Sequence, residues 1–221
     1  MASYLILGAG KFGRRALKRL ARQDASASFV VVDRDAAALM AVDGVPGWTR
    51  VVSDAIDFLV EHLRNDGRWD WIIPMVPVHV AVHWLMAGPL AGSAWRPAAV
   101  PEALVELFPG ARRGAHGELY LSRAHHRCPD DCAEPEVCPV TGEARDLPLH
   151  RELASVHLAG YEIRVIASRQ LAPGVGGYSP RRLLDLARDM GALSGNVLIA
   201  TACGCHGVIH GLAQGLGEER V

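Results

Sequence analysis

The chain has 221 residues, a formal net charge of −1 and 50 % hydrophobic residues. That length supports one large or two small domains with a real core, and the composition excludes a disordered chain. A near-neutral balance argues against nucleic acid as the main partner, because neutralising phosphates takes a basic surface.

The first predicted element is an apolar strand over residues 3–8, running into Leu5-Ile6-Leu7-Gly8-Ala9-Gly10-Lys11-Phe12-Gly13. A basic helix over 11–22 follows, carrying Lys11, Arg14, Arg15, Lys18 and Arg19 on what reads mostly as a solvated face. A second strand, Phe29-Val30-Val31-Val32-Asp33, ends in a carboxylate. Strand, glycine turn, helix, strand and terminal acid together make the βαβ pattern that binds a dinucleotide. Gly8 allows the tight turn, Gly10 lets the backbone approach the pyrophosphate, and Gly13 lets helix and strand pack closely. The N–H groups at the start of the helix, from Lys11 and Phe12, then face the phosphates. Asp33 accepts from the ribose hydroxyls and repels a 2′-phosphate, which favours NAD over NADP, while the neighbouring Arg34 works against that preference.

These residues resemble the Trk/RCK-type NAD-binding domain of potassium-uptake regulators over roughly residues 3–75. The resemblance rests on Gly8, Gly10 and Gly13, on Val32-Asp33-Arg34-Asp35, and on Val52-Ser53-Asp54-Ala55. It implies that Asp54 lies near the adenosine, although Ser53 stands where that family has glycine. The family's later regulatory domain is not visible in the rest of this chain, so its gating role does not carry over.

Further helices are predicted over 35–42 and 56–64, and further strands over 48–52 and 71–75. The stretch from Asp70 to Arg96 holds no formal charge between its ends. Its prolines and histidines split it into a buried strand and a helix, which argues against a membrane span. Residues 97–100 read as a short fifth strand. The N-terminal part, 1–107, is thus predicted as a doubly wound parallel sheet of Rossmann type. The remainder, 108–221, is predicted as an α/β part with a cysteine-rich loop insertion and a βαβ-like extension. In it, Glu118–Ser122 looks like an isolated strand, 162–168 a strand, 171–177 a flexible turn, 179–190 a helix capped by Ser179, and 196–202 the last strand. No targeting segment is apparent, so a cytoplasmic location is expected.

In such a compartment the five cysteines read as metal ligands or reactive thiols before disulfides. Cys128, Cys132 and Cys138 lie within eleven residues of an irregular loop, and Cys203 and Cys205 follow the last predicted strand. The spacing fits paired zinc knuckles poorly, and proline after Cys128 and Cys138 echoes ferredoxin loops. A [4Fe–4S] cluster is the expectation, with zinc or redox thiols as alternatives, and with Cys203 or Cys205 as fourth ligand. His206 and His210 are candidate ligands or proton carriers. His79 and His83 share a helical face, and His79 stands where a nicotinamide ring would need a general acid. His125 and His126 read as exposed. Arg169 with the glycines that follow could hold a carboxylate or phosphate.

The composite reading is an NAD(H)-binding oxidoreductase with an iron–sulfur centre and an unnamed small-molecule substrate. The alternatives are a non-enzymatic NAD/redox sensor acting on a partner protein, or an assembly protein braced by metal. NADH gives up two electrons and one cluster usually takes one; without a flavin site, direct transfer between them is disfavoured. Edge strands leave a homodimer open.

Overall fold

A computed structural model describes residues 1–42, 44–65 and 67–215. The chain begins with β1 (Ser3–Leu7), α1 (Lys11–Gln23), β2 (Ser28–Asp33), α2 (Ala36–Met40), β3 (Trp48–Val52), α3 (Ala55–His62), β4 (Trp71–Pro74) and α4 (Val80–Ala87). β1–β4 form a wholly parallel sheet in the order β3-β2-β1-β4. Leu5, Ile6 and Leu7 are fully buried, as befits a central strand covered on both faces. Ala16, Leu17 and Leu20 form the apolar stripe that seats α1 on the sheet. Each leucine so buried contributes about 1.5–3 kcal/mol.

β5 (Trp95–Ala98) and α5 (Glu102–Leu107) come next, followed by β6 (Arg112–Arg113), β7 (Leu119–Ser122) and α6 (Leu149–Ser155). The chain closes with β8 (Tyr161–Ala167), β9 (Arg169–Ala172), β10 (Val175–Gly177), α7 (Pro180–Met190), β11 (Asn196–Ala202) and β12 (His206–Gln214). The second sheet runs β6-β7-β12-β11-β8, with β5 also on β12. β8, α7 and β11 make the expected βαβ unit, because β8 and β11 pair in parallel. Ser179 caps α7 as predicted, its hydroxyl accepting from the Arg181 N–H, with Pro180 at the first helical position.

Four local expectations are corrected. The fifth strand does not extend the parallel sheet; it pairs antiparallel with β12. Pro97 explains this, since a residue without an N–H suits an edge and not a sheet centre. Residues 119–122 are not isolated but pair with β12 and β6. Asn196–Ala202 is not the last strand, because β12 returns along it over seven paired residues. Residues 169–177 form a β9–β10 hairpin in place of a loose turn.

That hairpin extends the first sheet. Tyr178 and Ile72 exchange both backbone hydrogen bonds, closing the free edge of β4. One hydrophobic cluster includes Leu5 and Ile72 of the first sheet, Leu85 of α4, Leu183 of α7, and Val197 and Leu212 of the second. The two sheets therefore share a core. Among the described residues no helix is long and apolar enough to cross a membrane.

Candidate functional site

At the carboxyl ends of β1, β2 and β4 the glycine turn is built as its sequence implies. Gly8 has φ +105°, and a Cβ there would stand 2.8 Å from the Met75 carbonyl oxygen. A Cβ at Gly13 would come within 1.8 Å of the Gly8 carbonyl oxygen. A Cβ at Gly10 would meet nothing within 4 Å. Two of the glycines thus answer to packing, and the third faces open space.

That space is a cavity of about 540 Å3 lined by Gly8, Gly10, Asp33, Arg34, Asp54 and His83 among others. The Asp33 carboxylate accepts from the Ala9 N–H at 2.6 Å and from the Asp35 N–H at 2.8 Å. It is thereby held at the mouth of the turn. Asp54 also reaches the cavity, and its side chain caps α3 by accepting from the Ile56 and Asp57 N–H groups.

His79 lies elsewhere. Its Nδ1 is 3.0 Å from His210 Nδ1 and its Nε2 is 2.9 Å from Thr201 Oγ1. Both ring nitrogens are thus committed to the second sheet, and the ring is almost fully buried. His83, one turn on, lines the nucleotide-sized cavity in its stead. The helical spacing of the two histidines does not make a metal pair: each meets His210, and neither joins a three-ligand group among the described residues.

The basic residues of α1 stay partly exposed, as expected of a solvated face, but they are also engaged. Lys11 and Arg15 both bind the Asp130 carboxylate. Arg19 reaches the Asp130 and Pro173 carbonyl oxygens. Arg14 turns back to the Ala9 carbonyl oxygen. The helix that follows the glycine turn therefore grips the cysteine loop. The hairpin holds that loop from its other side. Gly174 N–H donates to the Cys132 carbonyl, and Gly174 (φ +65°) lies so close to Asp130 that a Cβ would come within 2.1 Å of its carbonyl oxygen.

This docking brings four of the five thiols together; Cys138, expected among the loop ligands, is not in the lining of their cavity. Cys128, Cys132, Cys203 and Cys205 line one cavity of about 420 Å3, with Phe12, Glu134, Arg145 and His206. Cys128 Sγ is 3.7 Å from His206 Nε2 and 4.0 Å from His126 Nε2. The Glu134 N–H points at Cys132 Sγ at 3.4 Å, and the His206 N–H at Cys203 Sγ at 3.3 Å. Around Cys138 the turn Cys138-Pro-Val-Thr-Gly142 closes through a Gly142 N–H to Cys138 carbonyl bond of 2.8 Å. Backbone and hydroxyl hydrogen bonds from Thr141, then the Val140 N–H, pull the Cys138 thiol down to about 6. N–H groups aimed at sulfur suit a thiolate more than a thiol.

The other thiols go the opposite way. Burial, then Glu134, pushes Cys203 up to about 12. Burial also raises Cys205 and Cys128. Glu134, Cys203 and His206 place ligand atoms within 4.8 Å of one another. Among the described residues no three cysteine sulfurs come that close. A tetrahedral zinc ion would hold its sulfurs about 3.8 Å apart, given Zn–S bonds near 2.3 Å. The three-ligand group that does meet this spacing among the described residues is Glu134, Cys203 and His206, with one sulfur.

Sequence reasoning missed Glu134 and Arg145. Glu134 has φ +50°, which no other described non-glycine residue matches in sign, and it accepts from the Gly204 N–H at 3.1 Å. A strained backbone at such a place often accompanies function. Arg145 lies 4.0 Å from Cys132 Sγ. The one available signal was their position inside a polar, proline-rich loop that also held three cysteines.

The family described as "Uncharacterized protein, C-terminal domain" (AF_1314_C) matches residues 78–215. The chain belongs to the AF_1314_C family. The matched segment carries all five cysteines, Glu134, Arg145 and His206, and starts after the glycine turn. A protein of Archaeoglobus fulgidus, named "Uncharacterized protein", is 27 % identical over 223 residues, covering 95 % of this chain and 99 % of that one. That alignment spans both the glycine-turn part of this chain and most of the family-matched segment.

Proposed function

We propose that this protein is a cytoplasmic NAD(H)-binding oxidoreductase whose cysteine loop and 203–206 turn hold an iron–sulfur cluster. One observation carries the reading: four thiols from two distant segments line a single cavity at Phe12, two residues from the Gly10 that borders the nucleotide-sized cavity. Cys128, Cys132, Cys203 and Cys205 are the ligands this favours, with Cys138 on a knuckle suited to exchange with one of them. Gly8, Gly10, Lys11 and Phe12 would carry the pyrophosphate, Asp33 and Arg34 the ribose, and Asp54 the adenosine side. In this reading the cluster acts on substrate and not as direct acceptor of a hydride, in keeping with the absence of a flavin fingerprint in the sequence.

Aerobic and anaerobic preparations separate the possibilities. Anaerobically purified protein should carry iron and acid-labile sulfide in equal amounts and absorb broadly near about 400 nm. Colourless protein with stoichiometric zinc would reject the iron assignment. NADH should bind in calorimetry; its absence would reject the nucleotide half independently.

A sensor is the second reading, and the grip of Lys11 and Arg15 on Asp130 favours it. Nucleotide state and cluster state would then bias the same loop. Such a protein would bind NADH and NAD with different affinities and consume neither.

A further inference from the structure

A larger cavity, about 960 Å3, adjoins the thiol cluster. Glu134, Arg145, Ser168 and Gln170 line both spaces. Three guanidinium groups from three elements reach the larger one: Arg151 on α6, Arg169 on β9 and Arg182 on α7. Among the described residues none of the three has an ion pair or side-chain hydrogen bond.

The acids on the same wall are mostly engaged. Asp185 pairs with Arg181 and Arg188. Asp70 accepts from the Ser3 N–H and hydroxyl. Glu134 accepts from Gly204. Glu136 alone among the lining acids has no such partner in the described residues. Tyr178 closes part of the wall, and its buried hydroxyl also lacks a partner among the described residues. The lining holds five arginines and four carboxylates, a net charge of +1, and the three unpartnered arginines are exposed side chains based on two helices and a strand. The Gly174 N–H is taken by the Cys132 carbonyl and Gly176 and Gly177 pair within the hairpin, so the guanidinium groups carry the site.

We propose that this cavity binds a small organic dicarboxylate and presents it to the thiol centre. Guanidinium forks match carboxylates in a bidentate way. Three of them on separate elements, around a space far larger than one phosphate, fit a ligand with two separated anionic ends. This names the substrate class for the redox centre proposed above and rests on that reading for the chemistry, though not for the binding.

Calorimetry on the full-length protein tests it with succinate as probe and inorganic phosphate as the comparison. Succinate should bind, and the double variant Arg169→Gln/Arg182→Gln should weaken it by roughly tenfold or more. Phosphate should bind more weakly than succinate. A cooperative thermal melt of the double variant near the wild-type Tm checks that it is folded; should it fail to fold, Arg151→Gln serves, with a loss of roughly fivefold. Gly10→Ala should leave succinate affinity unchanged, which separates this cavity from the nucleotide turn. No succinate heat in the wild type, unaltered affinity in the arginine variants, or a preference for phosphate would each overturn the proposal. Succinate binding by protein without iron or NADH affinity would leave it standing while the redox reading falls.

Discussion

Lys11 Nζ lies 2.7 Å from Asp130 Oδ2, so the first residue of α1 and the cysteine loop share an ion pair across 119 positions of sequence. Arg15, one turn along, joins the same oxygen. Hydrogen bonds from Lys11 and then Arg15 hold the Asp130 carboxyl down at about 2. The group is therefore ionised across the physiological range, and the clasp yields to salt and not to ordinary pH change. Nucleotide bound at the turn should slow hydrogen exchange across residues 125–150, and Asp130→Asn should remove that protection while leaving NADH affinity within about threefold. Equal protection in the variant would count against coupling through this pair.

The glycines offer a sharper test, because two of them separate packing from ligand binding. Gly10→Ala adds a methyl into open space, so Tm should stay within a degree or two while NADH binding is lost to crowding at the pyrophosphate. Gly13→Ala drives a methyl into the Gly8 carbonyl and should cost at least about 2 kcal/mol by denaturant titration. Unchanged NADH binding in the Gly10 variant would sink the nucleotide assignment.

The parallel sheet was legible because its signals are local: apolar runs, glycines at fixed offsets and a terminal acid. β3 and β11 have the bounds their apolar runs suggest. β12 was hidden because His206-Gly-Val-Ile-His-Gly-Leu-Ala-Gln has two glycines and two histidines, and only pairing with β11, β7 and β5 makes it a strand. The engagement of the α1 cations was hidden for a similar reason. Helical spacing marks a polar face, but the partner that engages it, Asp130, comes from a loop without periodicity. The meeting of thiols could be suspected from their clustering in sequence. Glu134 could not, since its role depends on a backbone conformation that no pattern announces.

The split in thiol acidity gives a prediction about metal loading. Cys203, pushed up to about 12, is protonated at neutral pH, and Cys128 and Cys205 are raised by burial in the same sense. Cys138, near 6, is already a thiolate. Ligation of the raised thiols must therefore release protons. Zinc titrated into apoprotein in buffers of different ionisation enthalpy should show about two or more protons released at pH 7.5. Cys203→Ser should lower that number and weaken binding strongly, whereas Cys138→Ser should barely change the proton count. Equal proton release in both variants would reject this assignment of ligands.

The His79–His210 pair gives the pH dependence. Burial, then His210 and His83, drives His79 well below its ordinary value, and burial likewise lowers His210. Glu118 pulls His210 the other way, and His83 and His116 oppose its charging. At 3.0 Å one Nδ1 can donate to the other, and burial, which lowers both rings, favours the pair with neither ring charged. In the unfolded chain each titrates near about 6.5, so below that pH the unfolded state binds more protons. Unfolding free energy must then rise with pH across this window, and the stability present above about 6.5 is lost as pH falls below it. His79→Gln, which can still bond Thr201 and His210, removes one of the two titrations. Between pH 7.5 and 5.5 the wild-type Tm should fall by at least about 3 °C more than that of the variant. Parallel Tm profiles would mean that the pair is already charged in the fold, and that β12 is held against α4 by something other than a neutral histidine contact.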